Sequence, residues 1–87
     1  MIKAVIFCFI PVLKRLNALP REVRIKFWEQ LEKLIRNPFH PSLINEELKG
    51  ADQWAFSIPM DYRATYVREK TGIVITGVGA HKEILGK

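Results

Sequence analysis

Arg63 and His81 are the side chains of this sequence whose types best suit chemistry. Arg63 stands in the run Asp61-Tyr62-Arg63, and His81 follows Gly79-Ala80 and precedes Lys82. A guanidinium matches phosphate oxygens, and an imidazole titrates near neutral pH and serves as acid or base. With a carboxylate such as Asp61, they suit cleavage of an RNA phosphodiester. In that reaction the 2′-hydroxyl loses a proton as it attacks the adjacent phosphate. A second group protonates the leaving 5′ oxygen, and cations offset the charge that gathers on phosphorus. The scheme calls for no metal and no cofactor. The sequence offers no metal cluster, since His40 and His81 stand far apart and Cys8 is the one cysteine. It has no phosphate-binding glycine loop and no GxSxG elbow.

Each of these residues also has a structural reading. Arg63 can pair with Asp61 or Glu69 at the surface, Asp61 suits a turn, and His81 can be a plain surface histidine. Tyr62, Tyr66 and Trp54 suit a core. Lys49, Arg68 and Lys82 are either solvated charges or the basic border of a binding face.

The elements that must position them follow from periodicity. Ile2 to Phe9 is β-branched and aromatic with almost no polar side, and reads as a strand covered on both faces. Pro11 ends it, and a short helix runs to about Asn17. The clearest element is a helix over Pro20–Arg36, with Pro20 at its first position. Val23, Phe27, Leu31 and Leu34 form one stripe, which Trp28 and Ile35 widen. Gln30 falls among the charged residues that fill the rest. Asn37-Pro38 stops this helix, and Phe39 to Ile44 reads as an extended connection.

The period then changes from helical to alternating. Trp54, Phe56 and Ile58 alternate with polar or small neighbours, Tyr62 to Arg68 is a second strand, and Ile73 to Val78 a third. Turns at Pro59–Asp61 and Glu69–Gly72 join them. The expected fold is therefore α+β in the order β-α-α-β-β-β, with two helices on one face of a twisted antiparallel sheet. The other face lacks a cover. Alternation places Ser57, Arg63, Thr65 and Val67 on that open face, with His81 at its rim.

Composition bounds the partners. The chain has 87 residues, which is the size of one domain over 1–87. Fourteen Lys and Arg against nine Asp and Glu give 14 − 9 = +5. That excess favours nucleic acid, anionic membrane or an acidic protein as partner. The apolar start reads as a strand rather than a signal peptide or a membrane span. A lone cysteine fits a reducing compartment.

The segments LKRLNALPREVRIKFWEQLEKLIRNPFHPSL, LKGADQWAFSI, DYRATYV and VGAHKE resemble the RelE/ParE superfamily of bacterial toxins. The resemblance spans nearly the whole chain. It implies the toxin of a type II toxin–antitoxin pair, cytoplasmic, held by an acidic antitoxin. RelE-type members cut mRNA in the ribosomal A site, whereas ParE-type members inhibit DNA gyrase without a nuclease site. By resemblance Arg63 contacts phosphate, His81 is the acid or base, and Asp61 and Tyr62 match an acidic-aromatic pair of one branch. Glu46 falls where another branch places a catalytic polar residue, and Lys49 lies near the substrate. Two departures stand out. Ser57 replaces a second arginine or a histidine, and Ile84 replaces a tyrosine, which opens the alternative of a decayed member that only binds its antitoxin. The presence of His81 beside Arg63 keeps the endonuclease reading first.

Overall fold

A computed structural model describes residues 4–7, 10–48, 53–59, 61–70 and 72–82, with the backbone alone for 4–7. The element order is β1 (Ala4–Phe7), α1 (Ile10–Ala18), α2 (Arg21–Arg36), a 3-10 turn (Pro41–Leu43), β2 (Glu46–Leu48), β3 (Gln53–Ile58), β4 (Tyr62–Arg68) and β5 (Gly72–Ala80). The strands form a sheet in the order β1-β5-β4-β3-β2. Strands β2 to β5 pair antiparallel. The helical connection returns β1 to the far edge, where it pairs parallel with β5.

Helix α2 forms where its apolar stripe demands it. Val23, Phe27, Leu31 and Leu34 are buried under it. Pro20 is the residue before the first turn rather than its first member, and its carbonyl accepts from Arg24 N at 3.0 Å. Asn37 ends the helix in extended geometry, as a residue before proline prefers, while its side-chain oxygen accepts from Phe39 N at 3.1 Å.

The core lies between the helices and one sheet face. It joins Val12 and Leu16 of α1 and the α2 stripe to Phe56, Ile58, Ala64, Tyr66, Ile75 and Val78. Phe27, Phe56 and Tyr66 stack in a row, with ring centroids 6.1 and 6.0 Å apart. Each aromatic group buried here contributes roughly 1.5–3 kcal/mol by removal from water. No helix among the described residues is long and apolar enough to cross a membrane.

The α+β class, the order of the two helices and the three long strands match the sequence reading. The differences have physical causes. Phe39–Ile44 is not an extended connection, because His40 caps a 3-10 turn by accepting from Ser42 N on Nδ1 at 3.1 Å. Glu46–Leu48 is a strand that the sequence reading lacks; only three residues long, it has too few to alternate legibly. Trp28 is not inside the stripe; it is half-exposed and meets Phe27 edge-on, with centroids 5.0 Å apart. Gln30 is buried instead, as described below.

The face away from the helices is not bare either. Ala55 is wholly buried and Thr65 nearly so. Thr65 Oγ1 bonds Thr76 Oγ1 at 2.9 Å, beside an irregularity at Thr65/Tyr66 that leaves Thr76 unpaired. Such bulges re-aim side chains and sharpen strand twist.

Candidate active site

Three neighbouring strands build the site in one row. Ser57 of β3 pairs with Arg63 of β4, which pairs with Gly79 of β5. Arg63 therefore has a short side chain on one side and none on the other. Its side chain stretches across Ser57 toward β2, and Nη1 donates to the Ile44 carbonyl at 3.3 Å. Nη2 stands 4.0 Å from Glu46 Oε1. The acidic neighbour of Arg63 among the described residues is therefore Glu46, not Asp61 or Glu69. At that distance the pair is a Coulombic contact, weakened by water because half of the Glu46 side chain is exposed. The Arg63 side chain is only 12 % exposed, so its position is well determined by its surroundings.

Backbone geometry sets the acceptor. Ile44 has φ 45 and ψ 48, the left-handed region that a β-branched residue enters only under constraint. Its N–H bonds the Pro41 carbonyl at 3.2 Å, closing the 3-10 turn. The turn leads into β2, on which Glu46 pairs with Ala55 and thus shares the face of Ser57 and Arg63.

His81 lies at the other side. It follows β5 directly, and its backbone N donates to the Asp61 carbonyl at 2.7 Å. That bond extends the β4–β5 ladder by one step past the pair Tyr62–Ala80. His81 is two residues beyond Gly79, about 7 Å along the strand from the level of Arg63. Asp61, Ala80, His81 and Lys82 line a shallow cavity of about 230 Å³. Asp61 itself is exposed and has φ 66, which a short polar residue tolerates at a tight turn. Glu46, Ser57 and Arg63 thus form one group, to which the guanidinium is directed, and Asp61, His81 and Lys82 form a second beyond the end of β5.

Two of the candidates stand elsewhere. Tyr62 does not join the site, because it lies on the helical face and packs against the core, opposite buried Ile58. Arg68 does not border the open face; the strand places it on the helical side, where its guanidinium covers the Trp54 ring at 3.9 Å. This residue also lines a cavity with Pro38, Phe39 and Lys70 at the far end of the sheet. Lys49 and Ile84 lie outside the described residues.

The sequence reading missed two contributors, the Ile44 carbonyl and the Gln30 amide. A backbone carbonyl leaves no residue-type signal. Gln30 does leave one, since it sits three residues after Phe27 and four before Leu34, squarely on the buried stripe.

Two helices on one face of a five-stranded sheet, with a largely covered arginine beside a carboxylate on the other face, define a small α+β scaffold. Solved structures share that scaffold. The chain superposes on the archaeal RelE–RelB complex from Pyrococcus horikoshii with a TM-score of 0.74 at 23% identity, covering 93% of this chain and 97% of that one. It superposes on the E. coli DinJ–YafQ toxin–antitoxin complex with a TM-score of 0.77 at 13% identity, covering 99% and 100%. For the YoeB–YefM complex from Staphylococcus aureus the TM-score is 0.73 at 18% identity, with 90% and 95% covered. At these identities the likeness is one of fold. No protein-family model and no curated protein sequence matches the chain.

Proposed function

We propose that this protein is the toxin of a type II toxin–antitoxin pair, and that it arrests translation by cutting ribosome-bound mRNA. The observation that supports this reading is Arg63 on the sheet face away from α1 and α2, with Glu46 4.0 Å from its guanidinium and His81 just beyond the end of the neighbouring strand. Cleavage through the 2′-hydroxyl needs a base on the attacking side and an acid on the leaving side, with a cation at the phosphate between them. Glu46 is suited to take the 2′-hydroxyl proton, and His81 to give one to the 5′ oxygen. Arg63 would stabilise the charge on the phosphorus oxygens. Asp61 assists through its backbone carbonyl, which fixes the start of the His81 segment, and Lys82 draws the RNA backbone. The glycine floor opposite Arg63 leaves room for the sugar-phosphate chain.

The fold supports the same reading, since the solved neighbours are described as toxins, most of them in complex with antitoxins. An excess of five positive charges suits both an acidic antitoxin and the phosphate-rich ribosome. A bacterial or archaeal cytoplasm is where such a pair acts.

The test is in-vitro translation with the purified protein and mapping of mRNA 5′ ends. New ends within the reading frame, dependent on ribosomes, are expected. Intact mRNA with blocked DNA supercoiling would replace this reading with the gyrase-inhibitor one. Intact mRNA with neither effect would leave a protein that only binds its antitoxin.

A further inference from the structure

Gln30 is buried to 3 % exposure, yet it is polar and stands on the core side of α2. Its two amide hydrogens have two different destinations. Nε2 donates to the Ser42 carbonyl at 3.0 Å and to the Ser57 carbonyl at 2.8 Å. Ser42 Oγ in turn donates to Gln30 Oε1 at 3.4 Å. One side chain therefore ties helix α2, the 3-10 turn and strand β3 to a common point. Ser42 precedes Ile44, whose carbonyl holds Arg63 Nη1, and Ser57 is the cross-strand partner of Arg63 itself. The two backbone segments between which the guanidinium is stretched are the two that Gln30 clamps together.

We propose that Gln30 is a positioning residue for Arg63. It presses the 42–46 segment against β3, holds Ile44 in its left-handed conformation and so fixes where the Ile44 carbonyl and Glu46 meet the guanidinium. A buried amide with both donors and its acceptor engaged has one orientation, and misplacement here moves the phosphate-binding guanidinium together with Glu46, leaving His81 where it is. A glutamate or methionine of similar size cannot donate to the two carbonyls. The kinetic half of the inference rests on the RNA-cleavage reading, while its geometric half does not.

The experiment compares wild-type protein with Gln30→Met and, because that change reaches the core, with Ser42→Ala, at an exposed position whose hydroxyl holds the Gln30 amide oxygen. Folding is checked by circular dichroism, rotation about the Arg63 Cζ–Nη bonds by NMR of the labelled guanidinium, and mRNA cleavage on programmed ribosomes by single-turnover rate. In folded Gln30→Met, guanidinium rotation speeds up and the rate falls on the order of 10- to 100-fold. Adding Arg63→Ala to that variant costs much less than it costs wild type. Unchanged rotation and rate in folded Gln30→Met, or losses that simply multiply, overturn the proposal. If Gln30→Met does not fold, faster guanidinium rotation and slower cleavage in Ser42→Ala support the proposal, and unchanged values overturn it. If wild-type protein cuts no RNA, the cleavage reading falls, and the rotation measurement alone still decides the positioning role.

Discussion

Arg63 reaches its place because its neighbours are small or aimed elsewhere. Ser57 is short enough to be crossed, Gly79 has no side chain, and Ile44 presents a carbonyl from a strained backbone position. Removing the guanidinium forfeits one hydrogen bond and one half-solvated ion pair, worth about 1 kcal/mol together. Arg63→Ala is therefore expected to leave the melting temperature within a few degrees while lowering the cleavage rate on the order of 10²–10³-fold. Thermal melts and single-turnover assays on the same preparation check both halves. Glu46→Gln and His81→Ala should each cost at least about 10²-fold with the fold intact. Asp61 offers a contrast, since its contribution is a backbone carbonyl and a left-handed turn. Asp61→Gly should keep cleavage and raise stability by up to about 1 kcal/mol, measured by denaturant unfolding.

At the scale of elements, strand alternation placed Arg63 and its immediate surroundings. It placed Ser57, Arg63 and Thr65 together on the face away from the helices, and they pair along and across the strands as alternation requires. Alternation also carried the means to place Arg68, which is an even step from Tyr66 and so belongs to the helical face. The expectation of a basic border there followed charge instead of register. Arg68→Ala should accordingly cost about 0.5–1 kcal/mol of stability through the Trp54 contact and leave the cleavage rate unchanged. The helix stripe was legible for the same reason that α2 packs well, while strand β2 was not. A three-residue edge strand is defined by its pairing with β3, which no local pattern records. Glu46, which this strand holds level with Ala55, was named through resemblance alone, and the strand itself was not foreseen.

For the whole molecule, a small core and a charged rim divide the work. Phe27 heads the aromatic row, fully buried, and Phe27→Ala should cost about 3–5 kcal/mol, a large share of the stability of a domain of this size. The central proposal concerns bond chemistry, with Glu46, Arg63 and His81 driving attack by the 2′-hydroxyl on its own phosphate. Mass spectrometry of the upstream mRNA fragment, cut on the ribosome, reads this directly. The account predicts a 2′,3′-cyclic phosphate or its opened 3′-phosphate, and no cut where the hydroxyl is methylated. A fragment ending in a free 3′-hydroxyl, with phosphate on the downstream 5′ end, would contradict it.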